Sequence, residues 1–351
     1  MTRPVKLTIG MDVGDTYSHL AVLDDSGVVV RRDRVATKER SIRTWFGRYL
    51  GSTVALEVGR HSPWISRLLT EMGFEPIVGN PRKIALIHGG NDKCDPVDAE
   101  KLARLARVDP ALLSPVVHRR ADTQGSLAIV RSRDVLVRAR SRLINSARGQ
   151  VKAAGGGLGM GSAENFHLRE EELPELLESG LSPLMGACGE LTQHIRHYDR
   201  VIQELCEDVY PETQALLEVN GVGPVTALTF VLTIEEPARF ARSRDVGSYL
   251  GLRPKRDQSG DIDKQLSITK AGDPLLRRLL VQCAQQILGP FGKPCDLRRL
   301  GDRLIARGGQ AAHGKAVAAV ARRLAVMLHH IWVSGEPYNP DYVLQRSQPA
   351  A

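Results

Sequence analysis

The stretch Ile9–Val30, IGMDVGDTYSHLAVLDDSGVVV, decides how the chain begins. It takes in the end of one apolar run, Val5–Met11, and the whole of another, Leu20–Leu23, then the turn Asp24-Asp25-Ser26-Gly27, then a third run, Val28–Val30. Short apolar runs separated by turn residues read as strands, and three in a row read as an antiparallel meander. One residue does not fit a plain strand. Asp12 closes the first run, in Ile9-Gly10-Met11-Asp12-Val13-Gly14, where no turn or helix cap explains a carboxylate.

Working outward, an amphipathic stretch around Ile42–Leu50 precedes a strand over Thr53–Val58. A helix over Pro63–Met72, a strand over Glu75–Val78 and a helix over Asp98–Arg107 follow. A meander followed by alternating helices and strands is the order of an RNase H-like α/β domain, expected over residues 1–118. From Ala121 to Ala154 the pattern becomes one long helix, with Leu127, Val130, Val137, Leu143 and Ile144 recurring among many arginines. The run Gly155–Gly161 breaks it, and a second helical region spans Glu170–Val209, so residues 119–209 read as a helical hairpin or coiled-coil arm. Residues 210–345 read as a mostly α domain with a Gly-punctuated helix pair, a basic loop, and helices near Pro274–Leu288 and Gly314–Val333. No internal repeat is visible.

The 351 residues are 42% hydrophobic and 25% charged, the balance of an ordinary globular chain. A formal net charge of +8 favours polyanionic partners, nucleic acid first, although a solvated basic surface explains the charge as well. No apolar run approaches the roughly 20 residues of a membrane span, and the Met1 segment does not read as a signal peptide. The five cysteines are dispersed without a CxxC pair, which points to reduced thiols in a cytosol and no zinc set.

Four carboxylates carry the chemistry. Asp12 and Glu57, the latter in Val54-Ala55-Leu56-Glu57-Val58, each interrupt an apolar strand, where an uncompensated charge is costly. Asp95 and Asp98, at i and i+3 in Asp95-Pro96-Val97-Asp98, share one face of a helical turn. Together they would hold Mg²⁺ (or Mn²⁺) and support phosphodiester chemistry, since hard oxygen donors suit that ion. Asp95-Pro96-Val97-Asp98 also makes an ordinary helix start, with a cap and an N1 proline.

Asp12, the Ala55-Leu56-Glu57 triplet and the Asp95/Asp98 pair before Ala99 and Leu102 resemble the DEDD set of a transposase family. These are insertion-sequence transposases with a Holliday-junction-resolvase-like N-terminal domain, some of them guided by a bridge RNA. Where that family's helix motif carries Thr and Arg, this chain has Cys94 and Pro96.

In the C-terminal part, Asn220-Gly221-Val222-Gly223-Pro224 reads as a tight glycine turn between helices, like a helix-hairpin-helix gripping a DNA backbone. A helix C-cap followed by an N1 proline explains the same residues. Arg253, Lys255, Arg256, Lys264 and Lys270 would offer a phosphate-binding surface. Ser259 before Gly260 is, on its own, a turn residue. The motifs Gly221-Val-Gly-Pro, Tyr249-Leu-Gly-Leu-x-Pro, Gln258-Ser-Gly and Ile268-Thr-Lys-x-Gly match the same family's C-terminal domain in order and spacing. The resemblance implies that Ser259 is a nucleophile forming a phosphoserine link to DNA, with Ser267 the weaker choice. It also implies DNA partners (element ends and target), a guide RNA in some members, and a dimer or tetramer. Two other enzymes fit parts of the pattern. One is a junction nuclease using the four acids and water; the other is an actin-like ATPase or sugar kinase, suggested by Asp12-Val13-Gly14-Asp15-Thr16. A non-catalytic nucleic-acid-binding protein is a third alternative.

Overall fold

The computed structural model describes residues 7–81, 95–159, 161–259 and 262–342. The chain divides into two compact units, Met1–Arg120 and Ala121–Ala351.

The first unit is a five-stranded sheet in the order β3-β2-β1-β4-β5. Strands β1 (Thr8–Val13), β2 (Tyr17–Leu23) and β3 (Val29–Ala36) are antiparallel, while β4 (Thr53–Glu57) and β5 (Pro76–Gly79) extend the sheet in parallel beyond β1. This is the RNase H-like arrangement. Strands β1 and β4 are apolar because helices cover both sheet faces, as parallel pairing requires. One face carries Ile9, Met11, Val54 and Leu56 against helices α1 (Glu39–Phe46) and α2 (Ser62–Glu71), through Ile42, Phe46, Ile65 and Leu69. On the other face, Ala21, Leu23 and Ala55 meet Ala99, Ala103, Leu102 and Ala106 of α3 (Asp95–Val108). Strand β3 runs six residues past the expected Val28–Val30. Its extension, Arg31-Arg32-Asp33-Arg34-Val35-Ala36, lies at the sheet edge, where charged side chains reach water and conceal a strand pattern.

In the second unit, α4 (Ala121–Ala153) and α5 (Glu175–Glu204) run antiparallel. Val151 and Ala147 pack near Leu181 and Met185 at one end, and Arg140 Nη1 donates to Thr192 Oγ1 at 3.0 Å further along. Helix α5 starts at Glu175 rather than Glu170, because residues Phe166–Glu172 form a 3-10 segment that buries Phe166. Leu127 and Val130 of α4 and Ile202 of α5 share one core with Phe230, Leu276, Leu280, Leu324 and Leu328. The expected boundary at 209/210 thus falls inside a single apolar core.

The rest of this unit comprises α6 (Thr213–Leu217), α7 (Pro224–Ile234), α8 (Arg244–Tyr249), α9 (Pro274–Leu288), α10 (Asp296–Ala306) and α11 (Ala312–Ser334). Helix α11 is 23 residues long and apolar enough by composition to cross a membrane, contrary to the expectation that no run approaches that length. Its Val320, Leu324, Leu328 and Ile331 are instead buried in the core of this unit. The expected basic loop is also different: it is a two-stranded antiparallel hairpin, β6 (Pro254–Ser259) and β7 (Ile262–Ile268). Polar residues on both strands, Lys-Arg-Asp-Gln-Ser against Asp-Lys-Gln, hide the period-2 signal of a half-buried strand.

Candidate active site

Alternation along the strands assembles the acidic site. In β1, Ile9 and Met11 face α1 and α2, so Gly10 and Asp12 face α3. Glu57 follows Ala55 onto that same face. The parallel register ends at Met11↔Leu56, so Asp12 and Glu57 stand side by side at the strand ends. Helix α3 lies very close to the sheet because Gly10 has no side chain: a β-carbon there would collide with the Ala99 carbonyl and sit 2.6 Å from Ala103 N. That close approach brings the first turn of α3, with Asp95 and Asp98, over Asp12.

Three of the acids act electrostatically on the fourth, Asp12. The Asp12 carboxyl is pushed up to about 6, first by burial and then by the charges of Asp95, Asp98 and Glu57, with the Val13 backbone N–H pulling the other way. Oδ1 of Asp98 is buried and accepts no hydrogen bond; Lys101 Nζ stands 3.6 Å from it. A self-repelling set of oxygen donors with a buried, unsatisfied acceptor is a donor set that fits a divalent cation. The four acids predicted from the sequence are therefore neighbours.

One member was missed. His19 is the cross-strand partner of Asp12, its Nδ1 is 3.5 Å from Asp95 Oδ2, and donor atoms of Asp12, His19 and Asp95 lie within 4.8 Å of one another. The signal lay in hairpin register: a tight connection between β1 and β2 puts the residue seven positions after Asp12 opposite it.

In the second unit, the base of the β6–β7 hairpin is an interlock of two glycines. Gly251 and Gly272 both adopt positive φ, 70° each, and β-carbons there would meet the Ala271 and Tyr249 backbones. Lys270 N donates to Gly251 O at 3.1 Å, and Thr269 N to Arg253 O at 2.9 Å. Arg277 Nη1 donates to Leu250 O at 3.0 Å, and Asp273 caps α9 by accepting from Leu275 N and Leu276 N. Arg253 and Lys270 are thereby brought together at the hairpin base, with Lys255 and Arg256 along β6; all four are exposed. Ser259 pairs with Ile262 at the hairpin tip, and Gly260 and Cys94 lie outside the described residues. Lys264 is described as a strand residue opposite Asp257. Ser267 is exposed near the end of β7.

Gly221 and Gly223 belong to a different turn, between α6 and α7. Gly221 has φ 82°, and a β-carbon on it would sit 3.1 Å from the Ile287 side chain, so this glycine lets the turn lean on α9. Gly223 is the extended N-cap of α7, with open space around it.

Comparison with known proteins places these features in one family. A family model described as "Transposase IS116/IS110/IS902 family" matches residues 213–294. A DEDD transposase model of the IS110 group matches residues 9–154. Among similar proteins are the transposase for insertion sequence element IS1111A of Coxiella burnetii, 28% identical over 341 residues, covering 94% of this chain and 90% of the relative. The transposase for insertion sequence element IS1328 of Yersinia enterocolitica is 29% identical over 287 residues, 79% of this chain and 82% of the relative. A pilin gene-inverting protein of Moraxella lacunata is 24% identical over 157 residues, 42% of this chain and 48% of its own. The acids of the sheet face fall inside the first-unit match, and the glycine turns and hairpin inside the second. The chain belongs to the IS116/IS110/IS902 family of insertion-sequence transposases.

Proposed function

We propose that this transposase cuts and rejoins DNA with two groups: a divalent-metal site on Asp12, Glu57, Asp95 and Asp98, and the Ser259 hydroxyl as nucleophile. The observation that carries the reading is the convergence of three carboxylates, Asp95, Asp98 and Glu57, on Asp12, whose own ionisation they oppose. Mg²⁺ (or Mn²⁺) bound there would offset negative charge on the attacked phosphate.

The chain's own groups would do the rest. Ser259 Oγ attacks phosphorus, an Oγ–P bond forms, and the bond from phosphorus to the 3′ oxygen breaks. The serine proton passes to a general base, and the departing oxygen takes up a proton from water to become a free 3′ hydroxyl. A serine hydroxyl needs such a base to be an effective nucleophile at neutral pH. Placing Ser259 at the tip of a polar hairpin supports this role, since the tip is where a strand pair projects farthest from its anchor. Arg253, Lys255, Arg256 and Lys270, with the backbone at Gly221 and Gly223 as a helix-hairpin-helix-like grip, would hold phosphates without reading bases. The α4–α5 pair would serve as a coiled-coil dimerisation arm in a dimer or tetramer joining element ends to target, acting at the nucleoid in the cytoplasm. Sequence choice would come mainly from a guide RNA if this member uses one, since no recognition helix stands out in the sequence.

The test is a cleavage assay on element-end DNA. Ser259→Ala and Asp12→Ala each abolish cleavage and retain DNA binding, and a covalent protein–DNA adduct maps to Ser259. Full cleavage by either variant overturns the proposal. Metal-dependent cleavage that survives Ser259→Ala without an adduct assigns the chain to the water-using junction nucleases instead. Family membership leaves the actin-like kinase alternative without support.

A further inference from the structure

We infer that His19 is a ligand of the ion held by the acidic array, and that this nitrogen makes the site favour Mn²⁺ over Mg²⁺. The inference rests on the reading of Asp12, Glu57, Asp95 and Asp98 as a metal site.

The strand pairing puts His19 directly opposite Asp12. His19 shares its strand face with Ala21 and Leu23, which touch Ala99 and Ala103, so the imidazole is directed to the same side as α3 and its two acids. Its side chain is only 22% exposed, whereas that of Asp95 is 67% exposed. The 3.5 Å from Nδ1 to Asp95 Oδ2 is too long for a hydrogen bond. It does lie within the span of a shared ion, since two donors each about 2.1 Å from one ion stand from about 3.0 Å apart at a right angle to about 4.2 Å apart in line. An ion pair with a carboxylate that is mostly in water contributes little, so it explains little about why the imidazole sits here. A shared ion gives a reason for all three groups to gather within 4.8 Å of one another.

The donor types then set the preference. Mg²⁺ takes oxygen ligands in strict geometry and keeps its waters, so an imidazole adds little to its binding. First-row transition ions accept carboxylate and imidazole together, and Mn²⁺ is the member of that series best suited to a site still dominated by carboxylates.

The test uses the full chain, stripped of metal and titrated with Mn²⁺ under electron paramagnetic resonance, with Mg²⁺ as competitor. Wild-type protein should bind Mn²⁺ and show nitrogen modulation from a coordinated imidazole in electron spin-echo spectra. His19→Ala should lose that modulation and weaken Mn²⁺ binding about tenfold, while Mg²⁺ binding changes by less than about threefold. His19→Gln, which keeps the side-chain volume, serves the same purpose should the alanine variant fold poorly. Absence of Mn²⁺ binding, or binding unchanged in Asp12→Asn, overturns the acidic-site reading and this inference with it. Asp12-dependent Mn²⁺ binding with no nitrogen modulation, or with modulation retained in both His19 variants, overturns the role of His19 alone.

Discussion

Gly10 and Ala99 touch backbone to backbone: the space where a Gly10 side chain would stand is filled by the Ala99 carbonyl. This contact sets how deeply α3 settles on the sheet, and so how close Asp95 and Asp98 come to Asp12. Gly10→Val is expected to lift the helix and cost about 1–3 kcal/mol of stability through overpacking. Metal-dependent cleavage should be lost as well. Denaturant unfolding and a cleavage assay check this; wild-type values in both would show that α3 does not depend on this contact.

Asp12 makes the metal-free fold pH-dependent in a stated direction. Its folded carboxyl titrates near 6, above the ordinary value of 3.8. Between those values the folded protein binds the extra proton, so stability rises as pH falls from above 6 towards 4 and is lower once Asp12 is ionised. Asp12→Asn should therefore raise the melting temperature in EDTA at pH 8 and leave it nearly unchanged at pH 4. An equal shift at both pH values would contradict the electrostatic cause.

The Gly251–Gly272 interlock should be needed for the hairpin and not for the acidic site. Gly272→Ala puts a β-carbon against the Tyr249 carbonyl at a φ of 70°. Left-handed strain alone costs about 1 kcal/mol, and the collision adds to it. The expected result is lost strand cleavage with metal binding by the first unit retained. Cleavage at the wild-type rate would separate the hairpin from the chemistry.

The exposed cations at the hairpin should act through phosphate contacts. Lys255→Ala and Lys270→Ala are each expected to weaken duplex binding equally across sequences. Each should also lower the slope of log affinity against log salt by about 1. Binding titrations from low to moderate salt measure this, and an unchanged slope would remove that lysine from the interface.

Much of the sheet could be read before folding because its strands announce themselves locally. Ile9–Met11 and Val54–Leu56 are apolar on both faces, and the one acid ending each run has no local explanation. The extension of β3 and the β6–β7 hairpin could not be read this way. Both expose most of their charged side chains, so the alternation that marks a half-buried strand is missing from them. His19 escaped for a related reason: as a lone polar residue in a strand it means little until the strand's register is known.

From residue order alone came the α/β class of the first unit, the helical character of the second, and the acids at positions 12, 57, 95 and 98. These follow from periodicity and from the cost of placing charge in apolar runs, which are properties of neighbours in the chain. Three things waited for the tertiary structure: the joining of the four acids, the presence of His19 among them, and the single core shared by α4, α5 and the C-terminal helices. Each depends on which strand faces carry which residues and on how closely Gly10 lets a helix approach. Those are distances between segments far apart in sequence, and only the packed chain sets them.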